Sequence, residues 1–217
     1  IENMTKIKLK RKILKNNIEE LKTLTEQDLI NLEEEIREIY EAGKIKAPVH
    51  LCRGNEGPLF EIFKDVKDND WIFSTHRSHY HALLKGVGRE WLKNEILEKR
   101  SIHINNKKHK IFTSSIVGGN LPIALGTALA IKLKKGTERV WVFVGDMCSE
   151  MGVFHECVKY AKRHNLPITF VVEDNGLSVE TPTQKVWGEK NLGNAQILKY
   201  KYKRFYPHHG SGKWVTF

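Results

Sequence analysis

Apolar residues recur along this chain in two rhythms that follow one another. Between positions 25 and 42, Leu29, Leu32, Ile36, Ile39 and Tyr40 fall three or four residues apart, the spacing of one helix face. Thr25 with Asp28 reads as a capping box at the start of this helix and Gly43 as its stop. Shorter helices are expected over 58–67 and 78–86, and another over 88–99 carrying Trp91, Leu92, Ile96 and Leu97. The polar stretch 103–110 reads as a loop. From 120 to 135 the residues are helical in spacing and almost wholly apolar, closed by Gly136, which predicts a helix buried on several sides. Gly126 and Ala130 lie four apart there, so that face would admit another backbone closely. Then the rhythm changes. Residues 140–144 and 168–172 are continuous apolar runs of strand length, separated by a helix over 153–164. After Pro182 no period is clear until 200–206, where strand and extended loop both stay open.

Strand, helix, strand with unbroken apolar strands predicts a parallel pair covered on both faces and joined by a right-handed crossover. The expected fold class is therefore α/β, a parallel sheet flanked by helices. Parallel strands end on one edge, and open α/β sheets bind ligands at that edge. The run WVFVGDMCSE ends in Gly145 and Asp146; ITFVVEDNGL, about thirty residues on, ends in Asp174 and Asn175. Asp146 and Asn175 are thus expected side by side. One carboxylate and one amide oxygen are too few for Ca²⁺. They suit Mg²⁺, which keeps waters and takes its remaining oxygens from a phosphate group. The helix starting near Gly152 would add N–H groups facing the same edge. A plainer alternative stays open: Asp146 caps a helix and Asn175 makes a turn with Gly176.

Bulk properties narrow the picture. A chain of 217 residues suits one domain with a substantial core, and no apolar run is long enough to span a bilayer. The amino-terminal residues lack the apolar core of a signal peptide. Cys52, Cys148 and Cys157 show neither paired nor metal-type spacing, which suits a reducing, cytoplasmic setting. The net charge of +10 gathers in KIKLKRKILK (6–15) and KYKYKR (199–204), near the two ends. Without a zinc-finger or RNP-type motif these read as solvated ends, so nucleic acid is not an expected partner. Residues 1–24 are expected as a basic extension, followed by a single domain over 25–217. In HRSHYH, His76 and His79 share a helix face but His81 does not, and no Cys or carboxylate completes a transition-metal set. Cys148 reads as a small residue near phosphate rather than a nucleophile.

Taken together, these segments resemble a known family. Gly-Asp followed by Asn at the end of the next apolar strand is similar to the thiamine diphosphate signature. VFVGDMCSEMGVFHE and LPITFVVEDNGLSVETPT resemble the alpha subunit of the decarboxylating component of 2-oxoacid dehydrogenases. Upstream, PVHLCRGNEG is similar to that family's HLxxGQEA segment, STHRSHYHALLKG to YRxHG, RSIHI to GSMH, and IVGGNLPIALGTALA to IVGxQxPLxxG. The resemblance runs over roughly residues 25–185.

By position it implies a thiamine diphosphate-binding fold with Mg²⁺ held by Asp146, the side chain of Asn175 and the carbonyl of Leu177. Arg77 would grip the diphosphate, with His76 beside it where the family often has Tyr, and Gly145, Met147 and Cys148 would cradle it. Ser115 and Val117 would contact the aminopyrimidine through their backbone. His50 matches the active-site histidine, and His79 the YRxHG histidine expected along the cofactor channel. Met147 stands where the family has Gly, and Asp174 where it has Asn. Family alpha subunits continue through further strands and a histidine-bearing loop that this sequence lacks; His208 and His209 in YPHHGSGK are the histidines on offer. The glutamate that activates the aminopyrimidine comes, in that family, from a beta subunit. The resemblance therefore implies a heterotetramer with a beta-type subunit that decarboxylates or cleaves a 2-oxo acid or acyloin through a carbanion–enamine. A lipoyl-bearing acyltransferase is a further expected partner. Two other readings are half of a split transketolase-like enzyme and a non-catalytic basic α/β binding module.

Overall fold

The computed structural model describes residues 24–188 and 197–216. The expected basic extension lies outside the described residues except for Leu24. Helix α1 (Glu26–Glu41) starts at the expected capping box: Thr25 N–H donates to the Asp28 carboxylate at 2.8 Å and Asp28 N–H to the Thr25 hydroxyl at 3.3 Å. The chain continues through α2 (Glu56–Phe63), β1 (Trp71–Ser74), α3 (His79–Leu84) and α4 (Arg89–Glu95). A wide turn at Ile96–Arg100, with Lys99 at φ 65°, ends the expected 88–99 helix early. Next come β2 (Ile111–Thr113), α5 (Asn120–Leu133), β3 (Val140–Gly145), α6 (Asp146–Ser149), α7 (Gly152–Arg163) and β4 (Ile168–Asp174). The short pair β5 (Leu177–Ser178) and β6 (Thr181–Pro182) leads to α8 (Thr183–Trp187), and β7 (Ile197–Lys201) completes the set.

Five strands form one sheet in the order β2-β1-β3-β4-β7, every neighbouring pair parallel. This is the expected α/β class, and β3 carries the reason for it. Its side chains alternate across the sheet: Val140, Val142 and Val144 join the core beneath α5 and α7, while Trp141 and Phe143 join the core beneath α1 to α4. Both faces are buried, which is why the strand is apolar throughout. Buried Asp70 pins the opposite edge. It accepts from Arg139 N–H at 2.8 Å, Lys67 N–H at 3.0 Å and the Trp141 indole N–H at 3.1 Å, so β1 and β3 start in register.

Helix α5 differs from its expectation. Leu121, Ala124, Ala128 and Ile131 are buried, but Ile123, Gly126, Ala130 and Leu133 face outward, so one side of this apolar helix is buried rather than several. After β7 the chain turns back and lies along residues 49–54, with Phe205 N–H donating to Arg53 O at 3.4 Å and Gly210 N–H to Val49 O at 2.9 Å. Gly54 permits this approach. Its φ is +102°, and a Cβ there would sit 2.2 Å from the carbonyl oxygen of Lys203.

Candidate functional site

At the carboxyl edge of the sheet the ends of β1, β3 and β4 open into one cavity of about 270 Å³, near the lower end of the range for small-molecule sites. Register explains the convergence. Gly145 pairs with Glu173, so the chain leaves β3 and β4 at nearly the same level and brings Asp146 and Asn175 to one wall. Ser115, Val117, Met147, Cys148 and Leu177 line the same cavity, as do His50, His76 and Arg77.

Asp146 is 3% exposed. Its carboxylate accepts from the Thr183 hydroxyl and from the backbone N–H of Asn175. Burial first, and the nearby charge of Asp174 after the opposing Thr183 bond, push its pKa up. Among the described residues no Lys or Arg pairs with it. Asn175 makes the expected turn, its Oδ1 accepting from Leu177 N–H at 3.0 Å, while its Nδ2 donates to the Tyr202 hydroxyl at 3.1 Å. These two bonds orient the amide and leave Oδ1 one further lone pair. Asp174 points away, accepting from Gly176 N–H and pairing with Lys199 at 3.0 Å. Met147 lies in α6 and outside the positive-φ residues, so a side chain replaces glycine there without backbone strain.

Arg77 is braced by the backbone, with Nε donating to Leu51 O at 3.2 Å and a terminal nitrogen to His208 O at 3.1 Å. His50 Nδ1 also meets His208 O, at 2.7 Å; a carbonyl only accepts, so Nδ1 carries the proton and Nε2 is the bare nitrogen. Burial lowers His50 to about 4 and His76 to about 3, with Arg77 adding to both. Both imidazoles are therefore neutral near pH 7. Burial pushes the Cys148 thiol up to about 11, the opposite of what a nucleophile needs.

His79 corrects an expectation. It is fully buried outside the cavity, with Nδ1 on Glu33 at 2.7 Å and Nε2 on Ser101 at 3.0 Å. Helix α3 begins at His79 and turns this side chain inward toward α1 instead of along the channel. Glu33 also accepts from Cys52 N–H at 3.1 Å, so His79 supports the segment that carries His50 without reaching the pocket.

Sequence reasoning missed Glu173, Tyr202, Arg204 and Thr183. The first three line the cavity, and the last holds Asp146. Glu173 ends an apolar strand and passes for its polar terminus. It is buried, touched by His81 Nε2 at 3.3 Å, Asn55 Nδ2 at 3.2 Å and the Tyr200 hydroxyl. Burial pushes its carboxyl up, but His81, Tyr200 and Arg77 outweigh burial and hold it below the usual range. Tyr202 and Arg204 sat in a run that reads as a basic end, and no local signal marks them.

The profile of the family described as "Dehydrogenase E1 component" matches residues 25–195. The chain is 33% identical over 165 residues to the alpha subunit of acetoin:2,6-dichlorophenolindophenol oxidoreductase of Bacillus subtilis, covering 71% of this chain and 50% of that one. It is 34% identical over 161 residues to the protein of the same name from Cupriavidus necator, covering 70% and 48%. Against the chloroplastic pyruvate dehydrogenase E1 component subunit alpha-3 of Arabidopsis thaliana the identity is 33% over 161 residues, covering 67% and 38%. The chain spans half or less of the length of these relatives.

Proposed function

The chain belongs to the dehydrogenase E1 component family, and from that membership we propose that it is an alpha-type subunit holding thiamine diphosphate and Mg²⁺ for decarboxylation or cleavage of a 2-oxo acid or acyloin. The observation that carries this reading is the convergence of Asp146, Asn175 and Arg77 on one cavity at adjacent parallel strand ends. The residues present fit the metal. A carboxylate 3% exposed, raised by burial and without a cationic partner among the described residues is what a divalent cation relieves. They fit the diphosphate too, because Arg77 is held in place at the cavity wall and His76 Nε2 is buried there with no hydrogen-bond partner.

In this reading Asp146, the Asn175 amide oxygen and the Leu177 carbonyl hold Mg²⁺, and Arg77 and His76 hold the diphosphate. Thiamine diphosphate, when bound, supplies the electron sink for breaking the bond beside the substrate carbonyl. His50, neutral and fixed as its Nδ1–H tautomer, presents Nε2 to the cavity, where it accepts or shuttles a proton and orients the substrate oxygen. Glu173, which also lines the cavity, stays ionised and anchored, so it does not exchange protons at neutral pH. A beta-type subunit in a heterotetramer completes the site with the carboxylate that the cofactor's ring requires. The relatives' names carry acetoin and pyruvate, so those are the first substrates to offer.

The test is calorimetric titration of thiamine diphosphate into the chain, alone and co-purified with a beta-type subunit, with Mg²⁺ or with chelator. Turnover of acetoin and pyruvate is then followed with an artificial electron acceptor. Mg²⁺-dependent binding that Asn175→Ala weakens supports the reading. Failure of the two-subunit complex to bind the cofactor refutes it.

A further inference from the structure

Arg204 and His208, on the tail that returns after β7, do more than line the cavity. The His208 ring lies against two other cavity histidines, its centroid 4.8 Å from His50 and 5.6 Å from His76. Its carbonyl accepts from Arg77 and His50, and its backbone N–H donates to the Glu180 carboxylate at 3.3 Å. The same carboxylate accepts from one terminal nitrogen of Arg204 at 2.9 Å, and the other terminal nitrogen donates to Val179 O at 3.1 Å. The Arg204 side chain is 6% exposed and that of Glu180 66%, so a side chain packed into the protein holds a turn at its surface.

Val179 and Glu180 connect β5 to β6. Val179 stands at φ 55°, a strained conformation for a β-branched residue. It is also 55% exposed, so burial of its own side chain does not account for the strain. The two Arg204 bonds do, because they grip both residues of the turn. On either side of the turn lie groups that face the candidate metal site. Leu177, which opens β5, donates its N–H to Asn175 Oδ1 at 3.0 Å. Thr183, directly after β6, donates its hydroxyl to Asp146 and its N–H to Gly176 O at 3.0 Å. We propose that Arg204 is a positioning residue for the metal: by latching the strained Val179–Glu180 turn it holds Leu177 and Thr183 where Asp146 and Asn175 can share a divalent cation.

This latch rests on the metal reading of Asp146 and Asn175 given above. Arg204 donates to the turn and to neither of those two residues, and its charge and its position predict opposite effects. Acting through charge, a cation at the same cavity repels the metal, and neutralising it would tighten metal binding. Acting through the turn, its loss lets Val179 relax to a negative φ and weakens binding, by the roughly ten- to hundredfold typical of groups that orient metal ligands. Strain gives a second distinction. Glycine adopts positive φ without steric cost, so Val179→Gly keeps the turn's conformation accessible when the latch is gone.

The experiment titrates Mn²⁺, in place of Mg²⁺, into the chain co-purified with a beta-type subunit at saturating thiamine diphosphate, and reads the free ion by electron paramagnetic resonance. Arg204→Gln should weaken Mn²⁺ binding by about ten- to a hundredfold. Arg204→Lys keeps a donor for the turn and should recover part of the loss; Val179→Gly added to Arg204→Gln should recover most of it. Glu180→Ala opens the latch from its exposed side and should weaken binding in the same direction. Hydrogen exchange of the metal-free chain gives a reading without cofactor. In Arg204→Gln the amides of Leu177 and Thr183 should lose protection while those of β3 and β4 keep theirs. Equal or tighter Mn²⁺ binding by Arg204→Gln, no recovery on adding Val179→Gly, or unchanged protection at Leu177 and Thr183 would each overturn the latch. If the wild type binds no Mn²⁺, the metal reading falls and the latch with it; wild-type binding that Arg204→Gln leaves intact removes the latch alone.

Discussion

Replacing Asp146 with Asn should move stability in opposite directions depending on what the protein is given. In the metal-free chain the carboxylate is 3% exposed and its pKa is raised by burial. A carboxyl whose folded pKa lies above the unfolded value of about 3.9 stabilises the fold below that value, and the contribution is lost as pH rises through the folded pKa. At pH 7.5 the ionised group therefore works against folding, by about 1.4 kcal/mol for each unit of elevation. Asn keeps an oxygen for the Thr183 hydroxyl and carries no charge. With chelator present, Asp146→Asn should melt higher than wild type at pH 7.5, and the gap should vanish in acid. With thiamine diphosphate and Mg²⁺ at a hundred times the dissociation constant, binding adds about 2.7 kcal/mol to the wild type by mass action. For a chain of this size that is a rise of roughly 5–11 °C, and the variant should show almost none of it. Differential scanning fluorimetry of wild type and variant, with the beta-type subunit supplied, reads both effects. If Asp146→Asn lowered the midpoint equally with and without ligands, the carboxylate would be a structural cap and the metal assignment would fall.

Other perturbations probe the frame around the site. Gly54→Ala places a methyl 2.2 Å from Lys203 O at a φ of +102°. It should cost about 1–3 kcal/mol in strain and loosen the returning tail, seen as a lower urea midpoint and faster proteolysis between residues 202 and 210. Phe143→Ala empties a fully buried position whose ring lies tilted against His81, with centroids 4.2 Å apart, and should cost about 3–5 kcal/mol in chemical denaturation. Glu173 has a depressed folded pKa, so its contribution is present above the unfolded value of about 4.3 and lost as pH falls through the folded one. Glu173→Gln should thus differ most from wild type near neutrality and converge with it in acid; a gap independent of pH in urea titrations would contradict the assignment.

What the sequence made legible follows from the range over which each force acts. Capping at Thr25 and Asp28 is a contact three residues long, and the continuous apolar runs of β3 and β4 record burial on both faces, so both could be read locally. The meeting of Asp146 and Asn175 was legible because parallel pairing converts two strand ends into one place. Strands β1 and β2 escaped because four and three residues carry no period. His79 misled because its spacing fits a motif while the choice between pocket and core belongs to Glu33, forty-six positions away. The cluster of His50, His76 and His208 depends on a tail folding back across Gly54, a decision made by one positive φ and a backbone contact. Helix α5 marks a different limit. Its apolar content is real, yet Ile123 is 47% and Leu133 74% exposed, and Ile116 and Val117, just before its start, are exposed where they line the cavity. Hydrophobic periodicity records that a surface leaves water and is silent on which chain covers it. Exposed apolar residues on a helix that starts beside the pocket are what a subunit sharing the active site would bury. On that account the expectation of burial on several sides was wrong for this chain alone, and the beta-type partner that we propose would restore it.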